Sequence, residues 1–211
     1  MAKRRERAAA QLRRRGPQRE PYSTVLIVCE GERTEVEYLK GLCSALRLSS
    51  ANIAVVGRGA DPVSVVRFAV EKAQREGGWD HVYCVFDRDR HANFDQATNQ
   101  LRQATLAGTQ FHGGITNPCF EFWILLHFED ARRPYAGVGA RSPCDMVIVD
   151  VKKHLPDYDK SDPDLFSKVA DRVPDAIRHA ERLVKHNHRT QSDNPATSVH
   201  DLIALLTKLK T

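Results

Sequence analysis

No run in this 211-residue chain approaches the ~20 consecutive apolar residues that a bilayer crossing needs, so no membrane partner is expected. The charged start, Met1-Ala-Lys-Arg-Arg-Glu-Arg7, is not followed by an apolar stretch. That argues against a secretory leader and makes the cytoplasm the expected compartment. Cysteine is sparse: Cys29, Cys43, Cys84, Cys119 and Cys144 are odd in number, scattered, and include no Cys-x-x-Cys pair. Neither a zinc ribbon nor a disulfide framework is supported, and the cysteines read as small buried hydrophobes in a reducing compartment. Gly57-Arg-Gly59 is not followed by the Lys-Ser/Thr of a nucleotide P-loop. Nothing marks any of the five tyrosines as a nucleophile, and no internal repeat is present.

An excess of basic charge is missing from most of the chain. Residues 1–20 hold eight Lys/Arg against Glu6 and Glu20, while the remaining 191 residues carry 24 basic and 25 acidic side chains. The net charge of +5 therefore belongs to an N-terminal arm. Its Arg4, Arg5, Arg13, Arg14 and Arg15 could neutralise phosphates on a nucleic acid, or the arm could simply be solvated. An apolar share of 41% with 28% charged residues describes a globular body rather than a disordered one.

After Gly16-Pro17 the pattern becomes that of an α/β protein. Thr24-Val-Leu-Ile-Val-Cys29 is a continuous, β-branched apolar run typical of a buried parallel strand. A helix with Thr34 as N-cap is expected to run to about Leu48, and a second strand spans Ile53–Val56. Asp61-Pro62 opens a helix that Gly77-Gly78 stops. His81–Phe86 is the third strand, followed by a helix over about 92–106 and a short strand near Gln110–Ile115. Strands alternating with helices predict βαβ crossovers and a parallel sheet. Further helices are expected over Phe120–Phe128, Pro143–His154, Asp162–His186 (broken or kinked at Pro174) and Ala196–Lys208, with Asp130–Ser142 an exposed loop. The division expected is a basic arm over 1–21, an α/β core over 22–129, and a helical extension over 130–211 packed on that core.

In open parallel sheets, ligands gather beyond the carboxyl ends of the strands. Glu30 follows the first strand directly, and Asp87 and Asp89 follow the third. If those strands are neighbours, three carboxylates converge, and a divalent cation with oxygen ligands, magnesium or manganese, is the natural occupant. Glu121 sits inside an apolar segment, so it must face either a cation in the site or an Arg or Lys. Gly57-Arg58-Gly59, at a strand end before a helix, could contact a phosphate through backbone amides. Arg88, between two acids, is a further candidate nucleic-acid contact. Asn117, before Pro118, reads as an N-cap with a nucleic-acid contact as the alternative, and His127 as a core histidine.

Val25-Leu-Ile-Val-Cys-Glu30-Gly-Glu-Arg-Thr-Glu35, followed by Val85-Phe-Asp87-Arg-Asp89, resembles the Toprim domain of topoisomerases, primases and overcoming-lysogenization-defect nucleases. Thr116-Asn-Pro-Cys-Phe-Glu121 through Phe128, and Asn194-Pro195 through His200, bring the chain closer to the RloB/AbiLii-like family. The resemblance covers about residues 22–207. It implies a Toprim-like, Rossmann-like fold, magnesium dependence, phosphodiester chemistry on DNA or RNA, and a role in phage defence beside a partner ATPase. It also implies Glu30 as general acid/base, Asp87 and Asp89 as the metal pair, and Lys160 as a group that neutralises the scissile phosphate. Glu35 could hold a second metal or simply favour the helix dipole. The alternative is a non-catalytic nucleic-acid-binding or regulatory subunit; the oligomeric state is open in both.

Overall fold

The computed structural model describes residues 23–50, 52–88 and 92–209. Its centre is β1 (Val25–Cys29), all five residues buried, because a strand covered on both faces admits only apolar side chains. β1 pairs in parallel with β2 (Ile53–Gly57) on one side and β3 (His81–Asp87) on the other. β4 (Gln110–Asn117) extends the sheet in parallel, and the two-residue β5 (Ala196–Thr197) closes it antiparallel. The order is β2-β1-β3-β4-β5, so the winding reverses between β1 and β3.

Alternation along β1 and β3 sends side chains to two cores. Leu26, Val28, Val82, Cys84 and Phe86 meet α2 (Pro62–Glu76) and α3 (Phe94–Gln103). Val25, Ile27, Cys29, Tyr83 and Val85 meet the other layer, which holds α1 (Thr34–Ala45), α4 (Glu121–Leu125), α5 (Pro143–His154), α6 (Leu165–Val169), α7 (Val173–Thr190) and α8 (Val199–Lys208). Close packing of α1 on α6 needs Gly41, where a Cβ would sit 2.6 Å from that of Phe166.

Local chemistry explains the helix ends that the sequence marks best. Asp61 caps α2 by accepting from the amides of Val63 (3.1 Å) and Ser64 (3.3 Å), with Pro62 in the first turn. Ser142 and Asp145 form a reciprocal capping box on α5.

Elsewhere the expected boundaries move. Thr34 is not a cap: α1 follows Arg33, and the Thr34 hydroxyl donates instead to the Lys160 carbonyl (2.7 Å). The helix also ends at Ala45, because Arg47 turns the chain with φ +56°. The expected helix over 92–106 is the shorter α3, and α4 is a single buried turn and a half rather than nine residues. The expected Asp162–His186 helix is split into α6, a 3-10 turn (Ala170–Arg172) and α7, with Pro174 in the first turn of α7 where its missing N–H costs nothing. Ala196 and Thr197 form a strand rather than a helix start, since both pair with the end of β4.

The loop after Asp130 is better anchored than its composition suggests. Tyr135 is buried, and its hydroxyl donates to Asp150 (2.7 Å), a buried carboxylate that also pairs with Arg133 and Lys153. Asn194 accepts from the Tyr135 amide (3.1 Å) and donates to its carbonyl (2.8 Å).

Asp61→Ala removes acceptors for two amides and is expected to cost about 1 kcal/mol. In thermal denaturation this reads as a Tm lowered by about 2–4 °C. An unchanged Tm would mean that Pro62 and packing alone fix that helix start.

Candidate metal centre

The pairing of β1 with β3 fixes the first two acids. Past Cys29, the Glu30 amide still donates to Val85 O (2.8 Å), and the Glu30 carboxylate accepts from the Asp87 amide (3.0 Å). Asp87 closes β3, and its half-buried carboxyl accepts from the Phe120 amide just before α4. The expectation that residues 30 and 87 converge at one sheet edge is met by this geometry.

Two further carboxylates join them. Glu35, buried in the first turn of α1, folds back to accept from its own amide and that of Gly31. Gly31 leaves room for this arrangement, because a Cβ there would overlap the Glu35 carboxylate and push it aside. Glu121 opens α4 and is buried; its Oε1 accepts from Tyr158 Oη (3.1 Å) and lies 3.0 Å from Lys160 Nζ. Lys160 rides on the segment after α5, which the Thr34 hydroxyl and an Arg33–Ser161 hydrogen bond (2.8 Å) hold against the start of α1. A cavity of about 360 Å³ is lined by Thr34, Glu35, Gly59, Asp87, Glu121 and Lys160 among others.

Like charge dominates this cavity. Burial, then the carboxylates of Glu35, Glu121 and Glu30, push Asp87 well above the usual carboxylate range against the Phe120 amide. Burial likewise raises Glu35; its bonds to the residue 35 and 31 amides oppose this, and Glu121 and Glu30 add to it. Burial opposes the charge on Lys160, but Glu121, with Asp87 and Glu35 beyond it, outweighs that and lifts it above the ordinary lysine value. Carboxylates that resist joint ionisation and offer only oxygen donors fit a hard divalent cation such as magnesium or manganese. Glu30, Asp87 and Glu35 could each offer an oxygen to it, although among the described residues the metal-type donors drawn within 4.8 Å of one another are Cys119, Glu121 and Cys144.

The remaining sequence candidates divide. Asp89, Arg4, Arg5, Arg13, Arg14 and Arg15 lie outside the described residues. Gly57-Arg58-Gly59 offers no free amide pair to a phosphate: Arg58 N–H donates to Cys29 O (3.0 Å), Gly59 N–H to Glu30 O (2.8 Å), and the Arg58 guanidinium stacks on Phe68. Those glycines serve close packing instead, since a Cβ at Gly57 would lie 2.8 Å from the Glu32 Cα. Arg88 is paired with Asp193. Asn117 is not an N-cap: it ends β4, its bond to Pro118 is cis, and its amide donates to Asp193 O (2.5 Å). His127 is a core histidine bonded to Tyr38 Oη and Trp123 O, and burial holds it neutral, down to about 4.

Sequence reasoning missed the positioning roles of Thr34 and Tyr158, and one covalent bond. Cys119 and Cys144 form a disulfide, which corrects the expectation of five unpaired cysteines. Cys29, Cys43 and Cys84 are free. The packing of α4 on α5 brings the two cysteines together across 25 residues with Cα atoms 5.7 Å apart, a proximity that no local spacing encodes. Cys144 Sγ lies 3.4 Å from Glu121 Oε2. Cys119, Glu121 and Cys144 thus have the closeness of a metal triad, but sulfurs joined to each other are not the thiolates a metal would bind.

Raised carboxyl pKa values in the folded state mean that the stability these groups confer is present in acid and lost as pH rises through the raised values. In metal-free buffer, Asp87→Asn keeps an acceptor for the Phe120 amide and removes the charge. It is expected to raise the Tm near neutral pH, by about 2–4 °C for each kcal/mol of repulsion relieved. The gain should shrink toward zero as pH falls to about 4, where the unfolded chain's carboxyls are themselves protonated. Melts across that range check it; a pH-independent effect would rule out repulsion as the cause.

No curated protein and no solved structure matches the chain. A family model described as RloB-like protein matches residues 25–206, from β1 into α8, and so takes in Glu30, Glu35, Asp87, Glu121 and Lys160. With most of its length matched in this way, the chain belongs to the RloB-like protein family.

Proposed function

We propose that this chain is a divalent-metal-dependent phosphodiesterase of the Toprim type that cleaves DNA or RNA. The observation that carries the reading is the meeting of Glu35, Asp87 and Glu121 with Lys160 around one cavity beyond the carboxyl ends of β1 and β3, with Glu30 bonded to the Asp87 amide beside it. A pure nucleic-acid binder gains nothing from a cluster of carboxylates turned toward a polyanion. The winding reversal between β1 and β3 supports the Toprim assignment, since open α/β sheets bind ligands at that crevice.

Magnesium or manganese, held by Glu30, Asp87 and Glu35, would supply charge neutralisation at the phosphate and a more acidic water. The chain's own groups divide the rest. The exposed Lys160 ammonium pairs with a non-bridging phosphate oxygen, while Glu121 and the segment fixed by Thr34 hold that ammonium in place. Glu30, oriented by the Asp87 amide, exchanges the proton at the attacking or leaving oxygen. Asp89 keeps the metal-binding role that the resemblance gives it. A wider role in phage defence, beside a partner ATPase, rests on that resemblance alone.

The test is magnesium- or manganese-dependent nicking of plasmid and of tRNA by the purified chain, compared with Asp87→Ala, Glu30→Gln and Lys160→Ala. Each variant is expected to lose on the order of 10²-fold or more, and chelation should abolish activity. Cleavage that persists in Asp87→Ala would refute the assignment. Binding without cleavage under any metal would favour the non-catalytic alternative.

A further inference from the structure

Away from the acidic cavity, α7 carries a stripe of cations. Arg178, Arg182, Lys185 and Arg189 follow one another at intervals of four, three and four residues, which places them on one face of the helix. The stripe runs about 16 Å, at 1.5 Å per residue. Arg132, from the loop after α4, reaches the same face, and Arg132, Arg182, Lys185, His186 and Arg189 together line a cavity of about 270 Å³.

The acid available to this group is small. Asp130 pairs with Arg132 (2.5 Å) and more loosely with Arg182 (3.4 Å), and Arg178 pairs with Asp175. Among the described residues, Lys185 and Arg189 have no carboxylate partner. Complementing the carboxyl end of the helix accounts for Arg189 in the last turn, but not for cations two and three turns earlier. In a body whose acids and bases nearly cancel, this is a local excess with room for a ligand.

The stripe also leads to the acidic site. Four residues past Arg189, Asp193 pairs with Arg88 and accepts from Asn117. Arg88 directly follows the metal-centre acid Asp87, and Asn117 ends the neighbouring strand. Asn187, on α7 itself, donates to Pro195 O (2.7 Å), so the carboxyl end of the helix is tied to that same edge of the sheet.

We infer that the α7 stripe, closed by Arg132, is the docking surface for the sugar-phosphate backbone of a nucleic-acid strand whose scissile bond lies at the acidic cavity. At about 3.4 Å per nucleotide along a strand, its length matches roughly five phosphates. Contacts to phosphate fix register and orientation without reading sequence, so the surface predicts position-dependent but sequence-tolerant engagement. The inference rests on reading the acidic cavity as a phosphodiesterase site, and the two are tested separately.

Binding of a fluorescein-labelled single-stranded oligonucleotide to the full chain, in chelator so that no cleavage intervenes, is followed by anisotropy as salt is raised. The paired change Lys185→Glu with Arg189→Glu is expected to weaken binding by about tenfold to a hundredfold and to flatten the log–log salt slope by about 1.5. The milder pair Lys185→Gln with Arg189→Gln should shift both in the same direction, and it carries the test if the reversal variant melts early. Arg102→Glu, an exposed cation on α3, should leave both within twofold. Wild-type affinity and slope in both paired variants, or an equal loss in Arg102→Glu, overturn the proposal and leave the stripe to an acidic protein surface. Metal-dependent hydrolysis of bis(p-nitrophenyl) phosphate by the wild-type chain reports on the cavity alone. If hydrolysis is absent while binding depends on the stripe, only the phosphodiesterase reading fails. If hydrolysis is present while binding ignores the stripe, only the docking surface fails.

Discussion

The hydrogen bond from the Asp87 amide to the Glu30 carboxylate holds the site together. It exists because β1 and β3, 52 or more residues apart along the chain, lie side by side and in parallel register. Parallel neighbours end at the same edge, so whatever follows each strand is delivered to one place. Everything else at the cavity is referred to that edge: the Phe120 amide reaches Asp87, Glu35 folds back over Gly31, and Glu121 arrives on the single turn that follows β4.

That concentration of acid carries an energetic cost, and the surrounding structure shows how it is borne. Several amides and one ammonium face the carboxylates, yet Asp87 and Glu35 still resist ionisation. A fold selected for stability alone would replace such a cluster with apolar side chains. Tyr158 and Thr34 are each hydrogen-bonded at this site, to the Glu121 carboxylate and the Lys160 carbonyl, and such a clustering of perturbed acids is the pattern of a functional site.

Short-range signals were legible in the sequence and long-range ones were not. Asp61-Pro62 and Ser142-Pro143 mark helix starts because a cap bonds amides two or three residues away. The apolar runs of β1 and β3 mark buried strands, and from them the meeting of Glu30 with Asp87 follows. Thr34 looks equally like a cap, but its hydroxyl is taken by a carbonyl 126 residues later. Asn117 looks like a helix opener, yet Ala196 recruits it into a strand pair. The Cys119–Cys144 bond and the α7 stripe depend on which helix packs where. Net charge, averaged over a whole surface, conceals the stripe entirely.

The route of the polypeptide through the sheet bears on how the protein can be made. The first strand supplies one acid, yet the lysine comes from residue 160 and the strand that completes the sheet edge from residues 196 and 197. A nascent chain emerging from the ribosome therefore lacks part of the pocket lining until residue 160 is free to fold back. A fragment that stops before residue 160 carries the acids without the ammonium, and one that stops between residues 160 and 196 lacks the closing strand. The pocket is thus assembled only when chain well past the sheet's first strands folds back onto the edge they set.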